Sequence, residues 1–242
     1  MLHHLSLRSL LNQKVIATKK EKSKRINITV FRPLERRILP PMADYLPSWV
    51  KPDHLTGVAM IGALLTGFSY WFCHWGRGFL WLANLGLLIH WWGDSLDGTL
   101  ARVRRIEREK YGFFVDHLCD ALSVLIICAG LGASPYMHLN IALLLAISYF
   151  LLMILVYLLT YVRGIFKISF GGAGPTESRA IMFILNSILY LFHNPLLEFR
   201  WLDLYFMDIL GGIATLILLF VFLVDTCKNL IYLDKIDHPG TK

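Results

Sequence analysis

Residues 93–120 read GDSLDGTLARVRRIEREKYGFFVDHLCD and carry four aspartates, Asp94, Asp97, Asp116 and Asp120, around a knot of arginines. Asp94, Asp97 and Ala101 are spaced i, i+3 and i+7, which puts them on one face of a helix. Gly112, Asp116 and Asp120 are spaced i, i+4 and i+8, which makes a second stripe. If the two helices are neighbours joined by the short basic loop, four carboxylates meet in one cleft. Clustered hard carboxylate oxygens suit Mg²⁺ or Mn²⁺, and such ions keep coordination positions open for phosphate.

The elements that must position these residues are membrane helices. The chain is 56% hydrophobic and 17% charged, with seven tryptophans in 242 residues, a composition of lipid-spanning segments and not of a soluble globular domain. Apolar stretches cover residues 54–73, 79–92, 113–133, 139–162, 180–192 and 206–224. A crossing takes about 20 residues, so the reading is an all-α integral membrane protein of six transmembrane helices. The second stretch has only fourteen residues (79–92) and reaches full length only through Asp94, Asp97 and Ala101. The third includes Asp116 and Asp120 in its first two turns. The fifth is also short and is expected to begin near Glu177. All but Arg77 and Arg200 of the 24 lysines and arginines fall on one side of this arrangement, which places both termini and the acidic cleft in the cytoplasm.

An ionised Asp near the bilayer centre costs about 2.5–3.5 kcal/mol, and four together repel one another. A purely structural role therefore needs neutralising cations, which loop arginines supply in part and divalent ions supply better. Two other classes use intramembrane acids. A cation-coupled transporter relays ions through them, but no repeated half is visible here. A membrane prenyltransferase holds Mg²⁺ and pyrophosphate on two acidic motifs, typically spread over a larger bundle.

Outside the spans, MLHHLSLRSLLNQK lacks the continuous apolar core and small-residue cleavage site of a signal peptide. Residues 1–32, including the polybasic KKEKSKR, read as a flexible basic arm beside anionic head groups. Residues 33–53 begin PLERRILPPMADYLPSWV and read as an amphipathic interfacial segment that its prolines break into short pieces. Residues 54–233 form the membrane domain and 234–242 a tail. The net charge of +7 is thus assigned to membrane lipids and not to nucleic acid. Cys73, Cys119, Cys128 and Cys227 have no paired spacing and are expected to pack as free thiols. His90 reads as structural, and His117, beside Asp116, receives no role. Trp71, Trp75, Trp81, Trp91 and Trp92 gather near helix ends as an aromatic belt.

The pattern Asp94-x-x-Asp97-Gly98-x-x-Ala101-Arg102, then Gly112-x-x-x-Asp116-x-x-x-Asp120, resembles the complete signature of the CDP-alcohol phosphotransferases. The likeness extends over about residues 33–230, since the six-helix layout with an amphipathic N-terminal segment is also that family's. Pro52-Asp53-His54-Leu55-Thr56 is similar to its Pro-Asn-x-Leu-Thr at the first span, with Asp53, a residue that can N-cap a helix, in place of Asn.

The resemblance implies an enzyme that transfers a substituted phosphate from a CDP-alcohol to an acceptor hydroxyl and releases CMP, without a covalent intermediate. It implies two Mg²⁺ or Mn²⁺ ions on Asp94, Asp97, Asp116 and Asp120, with Asp120 as general base. Gly98, Ala101, Arg102, Gly112, Pro52 and Thr56 are the expected contacts of the CDP moiety, and Gly112 would let the two helices or the substrate come close. A homodimer is expected from the resemblance alone.

A cytoplasmic cleft would admit a lipid sideways and a polar partner from water. The acceptor is open. The stretch FGGAGPTESR, residues 170–179, supplies Arg179 and with Arg163 and Lys167 makes three cations, which are either a grip for an acceptor phosphate or carboxylate or the ordinary cytoplasmic charge of a glycine-rich turn. The CDP carrier reads as CDP-diacylglycerol, the alternative being CDP-choline or CDP-ethanolamine with a lipid acceptor. The compact chain points to a bacterial inner membrane.

Overall fold

A computed structural model of the chain describes residues 24–26, 29–167, 174–192, 196–199 and 202–237. The basic run 19–25 lies almost wholly outside them, as does the glycine-rich stretch up to residue 173. Among the described residues are seven helices: α1 (Arg32–Asp44), α2 (Pro52–Phe72), α3 (Phe79–Val103), α4 (Glu109–Gly132), α5 (Leu139–Arg163), α6 (Pro175–Phe192) and α7 (Phe206–Asp237). Two small strand pairs accompany them. Lys24–Ile26 (β1) pairs parallel with Ile165–Lys167 (β2), and Leu196–Phe199 (β3) pairs antiparallel with Leu202–Tyr205 (β4).

Each apolar stretch expected to cross the membrane lies largely within one of the helices α2 to α7. Four of them, α2, α4, α5 and α7, are long and apolar enough to span a bilayer. The 25-residue α3 and 18-residue α6 are more polar, because they hold Asn84, His90, Asp94 and Asp97, and Glu177, Arg179 and Asn186. Asn84 and Asn186 of the two helices face one another, as do Asp94 and Arg179. Tyr70 Oη donates to Asn186 Oδ1 at 3.0 Å, Asn186 Nδ2 to Asn84 Oδ1 at 2.8 Å, and Asn84 Nδ2 to Ser187 Oγ at 3.3 Å, all at buried or part-buried positions. Internal pairing of this kind makes polar residues tolerable at membrane depth.

Three boundaries differ from the sequence expectation. The prolines do not break residues 33–50 into pieces: α1 runs unbroken through Pro40 and Pro41. Proline at its first turn is pre-set for a helix, and packing offsets the interior cost, since Leu39 and Ala43 are buried in one cluster with Val50, Leu55, Leu96 and Leu100. Helix α4 begins at Glu109, a turn before residue 113, so Asp116 and Asp120 lie a turn deeper than expected; glutamate suits the positive end of a helix dipole. Helix α7 continues through residues 234–237, which were assigned to a tail. At 1.5 Å per residue its 32 residues span about 48 Å, more than the hydrocarbon core.

Helices α2 and α3 pack most intimately, because small residues line their seam. A methyl group on Gly93 would lie 2.6 Å from the Ala59 backbone nitrogen, and one on Gly86 2.7 Å from that of Thr66. The turn after α3 brings α4 back antiparallel through two bonds that satisfy the last carbonyls, Arg105 N–H to Arg102 O (3.2 Å) and Ile106 N–H to Ala101 O (3.0 Å). Arg105 takes φ +55°, where glycine is usual. Arg104 then clasps the α1–α2 connection, donating to the carbonyls of Leu46 (2.7 Å), Pro47 (3.0 Å) and Val50 (2.6 Å). All four cysteines are free thiols, as expected.

Candidate active site

Asp94 and Asp97 leave α3 one turn apart, and Asp116 and Asp120 leave α4 one turn apart. The close α2–α3 seam sets the first pair. Thr56 Oγ1 of α2 donates to Asp97 Oδ2 at 2.7 Å, and Asp97 is only 8% exposed. Thr56, expected to contact the CDP moiety, is thus seen holding a carboxylate. Pro52 opens α2, and Thr56 also reaches its carbonyl at 3.3 Å.

Asp120 is half-buried and lies within the electrostatic reach of Asp94, Asp116 and Asp97, together with the guanidinium of Arg179. The four acids of the sequence pattern therefore share one electrostatic neighbourhood; helical spacing put each pair on one face, and the packing of α3 beside α4 brings the two faces together. Asp116, His117 and Asp120 each offer an atom within 4.8 Å of the others, a set that could hold a metal ion. Two carboxylates and an imidazole fit a divalent cation such as Mn²⁺. His117 was given no role from the sequence. Its ring is held edge-on by Phe113 (centroids 4.1 Å, 83°) and stacked by Tyr157 (5.2 Å, 30°), with Nδ1 3.5 Å from Asp116 Oδ2. Its place beside Asp116 was the one available signal.

Arg102 folds back along its own helix. Its Nη2 donates to Thr99 Oγ1 at 2.9 Å, and a methyl group on Gly98 would stand 3.3 Å from its Nη1. Gly98 thus leaves room for the guanidinium in this arrangement. Nothing lies within 4 Å of where a Gly112 side chain would begin. Among the described residues, helix packing is therefore not what keeps that position small. Ala101 is half-buried on the same face as Asp94 and Asp97. Asp53 does not cap α2: Lys51 occupies that position, its N–H received by His54 Nδ1 at 3.3 Å, while Asp53 sits in the first turn and pairs with Arg108.

Of the three cations considered for an acceptor, Arg163 and Arg179 meet different partners. Arg163 ends α5, bonds Asn229 and covers the Tyr232 ring at 3.9 Å. The Lys167 side chain lies outside the described residues. Arg179 enters the acidic cleft, its Nη1 2.8 Å from Asp94 Oδ2, with side-chain exposures of only 11% and 21%.

Two acidic residues to which the sequence assigned no site role tie the start of α6, just before Arg179, to α1 and its entry. Glu177 is buried in the first turn of α6 and accepts the N–H groups of Gly174 and Phe31, each at 2.9 Å. Glu35 of α1 accepts Thr176 Oγ1 at 2.6 Å and Trp91 Nε1 at 3.3 Å. An acidic residue at a helix start is common enough that neither stood out.

The family model described as CDP-alcohol phosphatidyltransferase matches residues 49–225. No curated protein matches the chain.

Proposed function

Since the chain belongs to the CDP-alcohol phosphatidyltransferase family, we propose that it is a membrane phosphotransferase of phospholipid synthesis that takes its substituted phosphate from CDP-diacylglycerol and releases CMP. Phosphotransfer from a CDP-alcohol to an acceptor is the family's reaction. The observation that carries the reading is the convergence of Asp94, Asp97, Asp116 and Asp120 from two antiparallel helices, with His117 beside the last two.

Divalent ions, Mg²⁺ or Mn²⁺ and two in number, would be held by the four aspartates and would neutralise the pyrophosphate and the departing CMP. The rest of the chemistry falls to the chain itself. Asp120 accepts the proton of the acceptor hydroxyl, whose oxygen forms the new bond to phosphorus as the bond to CMP breaks and CMP leaves with the electron pair. Thr56 holds the Asp97 carboxylate in one orientation, so that charge is pre-arranged before substrate arrives. The open space at Gly112 admits the nucleotide beside the α4 backbone, and Arg102, now resting on Thr99, offers a planar fork to its phosphates.

The asymmetry of basic residues supports six crossings, with both termini and the cleft in the cytoplasm of a bacterial inner membrane. The test is Mg²⁺-dependent CMP release by the purified protein in nanodiscs. CDP-diacylglycerol, CDP-choline and CDP-ethanolamine are each paired with a panel of acceptors, and wild type is compared with Asp120→Asn. CMP together with a new lipid identified by mass spectrometry, both lost in the variant, is the expected result. A folded, metal-loaded protein that forms no CMP with any pairing would overturn the proposal.

A further inference from the structure

We infer that Arg179 is a resident counter-ion that competes with divalent cations for Asp94, and that α1 holds it in that position. The inference rests on the reading that the four aspartates bind such ions. Arg179 Nη1 lies 2.8 Å from Asp94 Oδ2, and Asp120 and Tyr149 are within its electrostatic reach. Its guanidinium stays charged at any working pH, and both partners of the pair are largely shielded from water. A divalent ion that recruits Asp94 must either displace this guanidinium or share the carboxylate beside a fixed positive charge. Either course weakens binding.

Both ends of the ion pair are tied to the same interfacial helix. Arg179 is two residues beyond Glu177, which fixes the start of α6 to Phe31, and three beyond Thr176, which bonds Glu35. Asp94 is three residues beyond Trp91, which donates to the same Glu35 oxygen. Helix α1 therefore sets the distance between α3 and α6 at the level of the pair. Glu35 and Glu177 are positioning residues; neither reaches the aspartates itself.

The test is a Mn²⁺ titration of the full chain in nanodiscs, followed by electron paramagnetic resonance of the free ion, with no CDP-alcohol or acceptor present. Arg179→Gln should bind Mn²⁺ about tenfold more tightly or better, because the competing charge is gone. Glu177→Gln leaves the Arg179 charge in place but replaces the Glu177 carboxylate with a neutral amide that has one accepting oxygen in place of two, loosening α6; it should shift affinity the same way by a smaller factor. That second variant decides the matter if Arg179→Gln does not fold. Arg163→Gln removes a cation held by Asn229 and Tyr232 and should leave affinity within about twofold. Unchanged or weaker binding in both Arg179→Gln and Glu177→Gln overturns the inference and leaves the metal reading standing. An equal gain in Arg163→Gln overturns it as a general charge effect. A wild-type protein that binds no Mn²⁺ overturns the metal reading itself, and this inference with it.

Discussion

Single side chains in the cleft are judged by what each touches. The Thr56 hydroxyl is the neutral partner of a buried carboxylate, and a hydrogen bond to a charged group contributes about 1.5–3 kcal/mol. Thr56→Val keeps the shape and loses the donor. We expect CMP release to fall about tenfold or more in kcat/KM, with a smaller proportional change in KM. Equal activity in the variant would show that Asp97 needs no such partner. Gly112 and Gly93 make a matched pair of tests. A methyl at Gly93 collides with the α2 backbone, whereas one at Gly112 meets open space. Gly93→Ala should cost about 1–3 kcal/mol of stability. Gly112→Ala should keep stability or gain up to about 1 kcal/mol, yet lower CMP release by obstructing the nucleotide. Thermal unfolding in detergent reads the first effect and turnover the second. Full turnover in Gly112→Ala would remove that position from the substrate site.

At the level of elements, the hinge between the two acidic helices is the informative piece. Its end bonds are those of a glycine-terminated helix, but the left-handed position is occupied by Arg105. Arg105→Gly should raise stability by about 0.5–1 kcal/mol, since a non-glycine residue is strained there. A lower melting temperature would mean that the side chain contributes more than the strain costs. Beyond the hinge, Arg104 donates to three loop carbonyls at hydrogen-bond distances of 2.6–3.0 Å. The loop arginines are thus not interchangeable neutralisers of the acidic cleft: Arg104 serves the α1–α2 connection and Arg108 serves Asp53.

Across the whole molecule, the polar residues of α3 and α6 and the tyrosine of α2 form one bonded set through Tyr70, Asn84 and Asn186. Tyr70→Phe leaves Asn186 Oδ1 without its donor and should destabilise the bundle by about 0.5–2 kcal/mol. Unchanged unfolding would make the three-helix set incidental. The proposed six crossings make a separate prediction. On a background with the native cysteines replaced, Trp75→Cys lies just before α3 and Lys110→Cys beyond its other end, in the first turn of α4. A membrane-impermeant thiol reagent should label them from opposite faces of oriented vesicles. Labelling from one face would show that α3 does not cross.

The sequence by itself determined where the helices run and which faces carry charge. Side chains repeat every 3.6 residues, so one helix over residues 79–103 carries Asp94 and Asp97 on a single face. The same local rules allowed the motif and its family resemblance to be read without coordinates. They did not determine which cation meets which carboxylate. Arg179 lies 85 positions after Asp94 in the chain, and only the packing of α6 against α3 brings them to 2.8 Å. The unbroken α1 likewise needed the buried cluster of Leu39, Ala43, Leu96 and Leu100, whose packing outweighs the local cost of Pro40 and Pro41. Helical periodicity is a property of neighbours in sequence, whereas partner choice at a buried charge depends on distances between segments that the sequence leaves far apart.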